Sequence, residues 1–204
     1  MIHLFDYWRS SASYRVRIAL GLCGLSWTST LVDLVQGDQT APDHLARNPQ
    51  GLVPVLQIDG LQLTQSLAIV EYLDETRALG LLPENAADRA HVRALAHAIA
   101  MDLHPVCNLR VARFGTAQNP NLSMADWMKH FIPPGLAAFE AMIAEGDFCF
   151  GARLSLADLC LVPQAYNARR WEVDLTPYPK TRRVLAHIEQ IPAIRDAHPD
   201  LHAP

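Results

Sequence analysis

The first half of the chain mixes strand-like and helix-like hydrophobic patterns. An alternating run at residues 2–7 predicts a strand, and apolar residues at helical spacing after it predict a helix that ends before Gly24. Residues 27–32 predict a second strand, and two more flank Asp59-Gly60, a dipeptide typical of β-hairpins. The predicted order is strand, helix, strand and hairpin.

The second half of the chain is helical in pattern. Gln65-Ser66 opens an amphipathic helix after the hairpin, and no segment beyond Ala86 predicts a strand. Pro105 should kink or divide the first long helix of this half, because proline cannot donate a backbone hydrogen bond. Strands followed by helices indicate two unlike domains. We expect an α/β domain at 1–80 and an all-α domain at 86–204.

Capping sequences and prolines mark the later helices. Ser-x-x-Asp sequences begin at Ser123 and at Ser155, and each precedes an apolar run, as at a helix N-terminus with a capping box. Pro133-Pro134-Gly135 lies inside the helix that Ser123 starts. We expect a break or a sharp kink there.

Composition narrows the class of protein. The chain has 204 residues, half of them hydrophobic, which is enough for a packed core. A net charge of −4 and a pI of about 6.1 argue against a nucleic-acid-binding surface. No apolar run reaches the roughly 18 residues of a membrane span, and no signal peptide is apparent. The four cysteines form no Cys-x-x-Cys pair, which predicts reduced thiols in a cytoplasmic protein and no metal site.

The turn between the first strand and helix carries candidate chemistry. Arg9 is followed by Ser10 and Ser11, where the first helical N–H groups lack intrahelical partners. Hydroxyls together with these N–H groups can hold an anion or a thiolate. A serine here can also serve only as the helix N-cap, so both interpretations stay open at this point.

Four motifs together carry a family resemblance that covers nearly the whole chain. They occupy residues 9–20, 48–54, 65–73 and 159–179. With them the chain resembles the cytosolic glutathione S-transferases and, more narrowly, the zeta class, which contains the maleylacetoacetate and maleylpyruvate isomerases. The resemblance implies a thioredoxin-like glutathione-binding lobe followed by an all-α substrate-binding lobe.

The resemblance also implies glutathione as the cofactor and assigns its site. Ser10 and Ser11 would be the catalytic hydroxyls that favour the glutathione thiolate. Val53 would pair with the cysteinyl backbone of glutathione, next to a cis Pro54. The residues implied to bind the cofactor are Ser10, Ser11, Ala12, Gln39, Val53, Pro54, Gln65, Ser66, His104, Asn108 and Arg110. Ala12 departs from the family pattern, which often has cysteine there, so no redox role is expected at that position.

The implied reaction is a cis–trans isomerisation of maleylacetoacetate to fumarylacetoacetate in tyrosine and phenylalanine catabolism. Thiolate addition makes the double bond single, rotation follows, and elimination regenerates glutathione. Because the substrate is a small dicarboxylic diketo acid, arginines are needed, and Arg9 and Arg170 are the candidates. Arg169 is expected to remain on the surface.

Other functions stay open at the level of sequence. Maleylpyruvate is an alternative substrate, and a glutathione transferase or dehalogenase acting on small α-halo acids would use the same thiolate. A non-catalytic module for protein association is a third possibility. The resemblance further implies a homodimer.

Overall fold

The computed structural model describes residues 1–204, which form two compact units. One unit contains Met1–Gly80 together with Ile191–Pro204, and the other contains Leu81–Gln190. Strands occur only in the first unit, and the second is entirely helical. The predicted fold class, an α/β thioredoxin-like lobe plus an all-α lobe, is confirmed.

The elements of the first unit follow the predicted order. They are β1 (His3–Asp6), α1 (Ser11–Leu22), β2 (Thr28–Leu31), α2 (Pro42–Arg47), β3 (Val55–Ile58), β4 (Leu61–Thr64) and α3 (Ser66–Arg77). The one addition is helix α2, preceded by a 3-10 turn at Asp38–Thr40. Residues 35–48 are polar and contain Gly37 and Pro42, a pattern that predicts a loop with about one helical turn.

The four strands form one mixed sheet in the order β2-β1-β3-β4. Strand β2 is parallel to β1, whereas β3 is antiparallel to both β1 and β4. Phe5 lies opposite Val55, and Val55 lies opposite Thr64. The segments that leave β1 and β4 and the segment that enters β3 therefore meet at one edge of the sheet.

Helix α1 is buried along almost its whole length. Val16, Ile18 and Leu20 are fully inaccessible to solvent, and Gly24 ends the segment with the positive φ of 64° that favours glycine. Arg15 and Arg17 on the same helix are also buried. Burial on all sides requires that both guanidinium groups find partners inside the protein.

The helices of the second unit are α4 (Ala86–His97), α5 (His104–Val106), α6 (Leu109–Ala117), α7 (Met124–Met142), α8 (Leu156–Arg170) and α9 (Pro179–Ile188). A π-helical segment, Ala98–Leu103, joins α4 to α5, and Pro105 is the second residue of α5. The chain leaves the helix only at Cys107 and Asn108, two residues after the proline, so the interruption predicted at Pro105 takes the form of the π-helical segment before it and this break after it.

Both predicted capping boxes are present. At α7 the Ser123 hydroxyl accepts from the backbone N–H of Asp126, whose carboxylate accepts in return from Ser123. At α8 the buried Asp158 carboxylate accepts from the N–H and hydroxyl of Ser155 and from the N–H of Cys149. Burial raises the pKa of Asp158, and these hydrogen bonds act in the opposite direction.

The predicted break at Pro133-Pro134 does not occur, because α7 is continuous from Met124 to Met142. A proline at position i leaves the carbonyl four residues earlier without its helical donor. Here those carbonyls belong to Lys129 and His130, which are exposed, so water can supply the donor. The Tyr178 hydroxyl also donates to the Pro133 carbonyl at 3.0 Å.

The C-terminal segment packs on α1. It contains α10 (Pro192–Asp196) and a short 3-10 turn. The Tyr14 hydroxyl donates to the Ile194 carbonyl at 3.3 Å, and Gly21 faces Ala193 so closely that a Cβ atom would lie 3.2 Å from the alanine side chain. These contacts group Ile191–Pro204 with the first unit, whereas the sequence-based boundary kept these residues with the helical domain.

None of the helices combines the length and the apolar character needed to cross a lipid bilayer.

Candidate active site

Ser10 is the N-cap of α1. Its Oγ accepts from the Ser13 N–H at 3.2 Å, and its own N–H donates to the Tyr7 carbonyl at 2.9 Å. A serine hydroxyl has two acceptor lone pairs and one donor hydrogen, so capping leaves the hydrogen available to donate elsewhere. The capping role and a role towards a ligand anion are therefore compatible.

The following residues form the first turn of α1. Ser11 is buried, and Ala12 is half-buried. The N–H groups of this turn have no intrahelical acceptor and carry the positive end of the helix dipole. Alanine at position 12 leaves this turn without a thiol, so any thiolate held here must come from a ligand.

Arg9 precedes this turn, and its side chain is held in place by aromatic neighbours. Its Nη2 donates to the Tyr7 hydroxyl at 2.9 Å, and its guanidinium lies 4.6 Å from the centre of the Trp8 ring. Stacking on an aromatic face orients the guanidinium plane and leaves its donor edge for other partners.

Val53 lies at the sheet edge, two residues before β3. Its side chain belongs to the apolar cluster that contains Tyr7 and against which Trp8 packs. The expected cis bond between Val53 and Pro54 is present. Neither the N–H nor the C=O of Val53 bonds to another backbone group in this loop, so both are available to an extended ligand.

Gln65 and Ser66 begin α3. Gln65 has a φ of 67°, a conformation that residues with a side chain rarely adopt and that is found most often at binding sites. Its Nε2 donates to Gln50 Oε1 at 2.6 Å. The buried Ser66 hydroxyl accepts from Arg15 at 3.1 Å, which brings a guanidinium to the positive end of this helix.

Gln39 lies in the 3-10 turn before α2. Its Oε1 is buried and has no hydrogen-bond partner within the chain. Its carbonyl approaches Gly51, where a Cβ would lie 3.2 Å away, so this turn contacts the loop that leads to Val53. A buried acceptor without a donor fits an amide or amino group of a bound peptide such as glutathione.

The remaining candidates lie in the second unit. His104 is half-buried at the start of α5, and Asn108 is the N-cap of α6, where its side chain accepts from the Arg110 N–H at 3.1 Å. The Arg110 side chain is exposed. These three residues are close together at the α5–α6 junction.

Arg170 is the last residue of α8, on a different helix from the α5–α6 candidates. Its guanidinium lies 4.8 Å from the centre of the Trp171 ring. The neighbouring Arg169 instead forms a partly exposed ion pair with Glu189, with Nη1 and Oε1 2.5 Å apart. The two adjacent arginines thus have different environments.

The structure therefore brings one group of candidates together. Residues from the end of β1 and the start of α1, the entry to β3 and the start of α3 converge at one edge of the sheet in the first unit. In the second unit, the α5–α6 candidates and Arg170 occupy separate elements.

The protein's own thiols are poor nucleophiles. Burial raises the pKa of Cys23, raises that of Cys107 to about 12, and raises that of Cys149 well above its usual range. These three thiols are therefore protonated at neutral pH, and thiolates are the reactive form.

Sequence analysis did not assign a role to Arg15. The signal was available, because Arg15 and Arg17 lie two positions apart in an otherwise apolar helix. Residues at this spacing point to nearly opposite sides of a helix, so a single solvated face cannot accommodate both. At least one of them had to be buried with a partner.

Two domain models of one protein family match this chain. The family model for the glutathione S-transferase N-terminal domain matches residues 1–75, and the model for the C-terminal domain matches residues 132–203. A maleylacetoacetate isomerase of Rhizobium meliloti is 57% identical, over 98% of this chain and 97% of its own length.

Two solved structures share the fold over nearly the full length. A holo maleylpyruvate isomerase, described as a bacterial zeta-class glutathione S-transferase, is 39% identical with a TM-score of 0.92, over 97% of this chain and 96% of its own. A maleylacetoacetate isomerase from Methylobacterium extorquens AM1, with bound malonate and glutathione, is 40% identical with a TM-score of 0.92. The match covers 99% of this chain and 98% of that chain. The chain belongs to the glutathione S-transferase family and, within it, to the zeta class.

Proposed function

We propose that this protein is a glutathione-dependent cis–trans isomerase that converts maleylacetoacetate to fumarylacetoacetate in tyrosine and phenylalanine catabolism. The observation that carries the proposal is the Ser10 turn. It presents a hydroxyl hydrogen at the positive end of the α1 dipole, where the chain has no thiol of its own. The high identity to a maleylacetoacetate isomerase supports this choice of substrate.

Each candidate residue has a defined task in this proposal. Bound glutathione supplies the thiolate that adds reversibly to the double bond of the substrate. Ser10 and Ser11 stabilise negative charge at the start of α1. The backbone of Val53 and the start of α3 at Gln65 and Ser66 hold the peptide. The family resemblance also assigns cofactor contacts to His104, Asn108 and Arg110.

The acid substrate is assigned to arginines. Arg9 and Arg170 bind its carboxylates, because a planar guanidinium can donate two parallel hydrogen bonds to a carboxylate. The relative from Methylobacterium extorquens binds malonate, a small dicarboxylate, together with glutathione. That precedent supports a dicarboxylic diketo acid as the partner of this site.

A direct assay tests the proposed reaction. The purified protein should isomerise maleylacetoacetate only when glutathione is present, without net loss of glutathione, because the thiol is regenerated at each turnover. Stoichiometric loss of glutathione would instead indicate a transferase or dehalogenase.

Maleylpyruvate is the second candidate substrate, because a maleylpyruvate isomerase is 39% identical to this chain and shares its fold with a TM-score of 0.92. Measuring kcat/KM for both acids with the same preparation decides between them. We expect the higher value with maleylacetoacetate, and a higher value with maleylpyruvate would reassign the substrate.

Replacing Ser10 with alanine should lower kcat by about 10²–10³-fold while glutathione affinity changes much less. The physical reason is that the hydroxyl stabilises charge that matters most at the chemical step. The measurement is kcat with saturating glutathione, combined with calorimetric titration of glutathione.

Two control variants separate the roles of the serine. Ser123→Ala removes an N-cap from α7 and should leave kcat unchanged, which accounts for the general cost of losing a cap. Ser11→Ala should have the smaller effect on kcat. A nearly silent Ser10→Ala beside a severely impaired Ser11→Ala would transfer the catalytic role to Ser11.

Replacing Arg170 with alanine should lower kcat/KM for the acid substrate by about ten- to a hundred-fold, since a charge-assisted hydrogen bond is worth about 1.5–3 kcal/mol. Glutathione affinity should stay near normal. Arg170→Lys should recover only part of the loss, because an ammonium group lacks the planar fork.

Arg169→Ala is the matched control for this test, since it removes an adjacent arginine that is paired with Glu189. It should change kcat/KM little. Equal losses at both positions, or a loss confined to glutathione affinity, would remove Arg170 from the substrate site.

We also propose a cytoplasmic homodimer. The four free cysteines support a reducing compartment, and the exposed Leu61 on the edge strand β4 supports a covered surface there. Light scattering at micromolar concentration should give twice the 22.6 kDa chain mass. A mass equal to that of one chain would contradict the dimer.

A further inference from the structure

Two buried side chains converge on a single carbonyl group just before Val53. His44, on α2, and Asn48, at its C-terminal end, are 2% and 3% exposed. His44 Nε2 and Asn48 Nδ2 each lie 2.9 Å from the carbonyl oxygen of Leu52. Because a carbonyl can only accept, both side chains act as donors, and His44 carries a hydrogen on Nε2.

Asn48 also stabilises the loop through its side-chain oxygen and its backbone carbonyl. Its Oδ1 accepts from the Gln50 N–H at 3.1 Å, and its carbonyl accepts from the Gly51 N–H at 2.9 Å. Asn48 therefore forms hydrogen bonds with three residues of the loop 48–52. His44 adds a second donor to the Leu52 carbonyl, which restricts the movement of this loop.

The same loop also contacts the start of α3, the other segment proposed to hold glutathione. Gln50 Oε1 accepts from Gln65 Nε2 at 2.6 Å, at the residue with a positive φ that precedes α3. Fixing residues 48–52 thus constrains Val53 through the chain and Gln65 through a side chain. Both lie at the sheet edge where the proposed site is assembled.

We propose that His44 and Asn48 are positioning residues that pre-organise the Val53 and Gln65 segments for glutathione, an inference that rests on the proposed glutathione-binding function. Without the two donors, the loop samples conformations in which the Val53 backbone is displaced. The apparent dissociation constant for glutathione rises as the fraction of molecules in the binding-competent conformation falls. Saturating glutathione restores the competent conformation, so kcat is preserved.

The test uses variants that remove one donor with little change in shape. Asn48→Asp keeps the acceptor for Gln50 and loses the donor, and His44→Phe keeps a ring and loses the donor. Each should raise the glutathione dissociation constant measured by calorimetry about three- to tenfold, the worth of one neutral hydrogen bond or slightly more. We expect kcat at saturating glutathione to stay within about twofold of the parent.

Rescue and control variants distinguish positioning from a general loss of stability. His44→Gln carries an N–H at a reach similar to that of Nε2 and should bind glutathione nearly as the parent does. Gln62→Ala removes another side-chain donor to a backbone carbonyl, that of Arg47 on the same helix, and should leave the dissociation constant unchanged.

Amide hydrogen exchange gives a readout independent of activity. In the absence of glutathione, the Gly51 N–H should exchange faster in Asn48→Asp and His44→Phe than in the parent, and glutathione should restore its protection. Unchanged affinity and exchange in both variants, or a fall in kcat at unchanged affinity, would overturn the positioning role. Failure of the parent protein to bind glutathione would instead reject the proposed function.

Discussion

The guanidinium of Arg17 is the interaction on which the geometry of the candidate site depends. It is fully buried and donates to three segments: to the Asp6 carboxylate at 2.7 Å, the Trp8 carbonyl at 2.8 Å and the Ala197 carbonyl at 3.3 Å. Asp6 ends β1 and Trp8 begins the turn that leads to Ser10. One side chain on α1 therefore fixes the strand, the turn and the C-terminal segment. Removing one partner of a buried ion pair costs about 3–5 kcal/mol, because the remaining charge is left uncompensated.

The first unit repeats this principle in its other segments. Arg15 extends from α1 to the Ser66 hydroxyl at the start of α3. Side chains from α2 fix the Leu52 carbonyl. In each case a buried donor holds the backbone at the sheet edge while remaining outside the proposed contact surface. The backbone groups that would meet a peptide are thereby ordered before any ligand arrives, which lowers the entropic cost of binding.

The sequence predicted best those features that depend on neighbouring residues. The Asp59-Gly60 hairpin and both capping boxes are local, and each is confirmed. The break predicted at Pro133-Pro134 was wrong, because the two carbonyls that lose their helical donors belong to Lys129 and His130, which are exposed in the folded protein, and that exposure depends on packing by elements distant in sequence.

The buried polar contacts could not be derived from the pattern, for the same reason. His44 and Leu52 are close in sequence, but the pattern of this segment predicts a loop and does not indicate which group His44 contacts. Arg17 and Ala197 are far apart in sequence, and helical spacing alone does not tell which element a C-terminal helix packs against. Spacing could show that Arg15 and Arg17 need partners, although it could not identify them.

The two arginines proposed for the acid substrate share one physical feature. Arg9 lies over Trp8 and Arg170 lies over Trp171, at 4.6 and 4.8 Å from the ring centres. Stacking on an indole face favours one orientation of the guanidinium plane. A protein with a net charge of −4 has no general field that attracts dianions. Under the proposed function, guanidinium groups that are oriented by an adjacent indole ring supply that attraction locally.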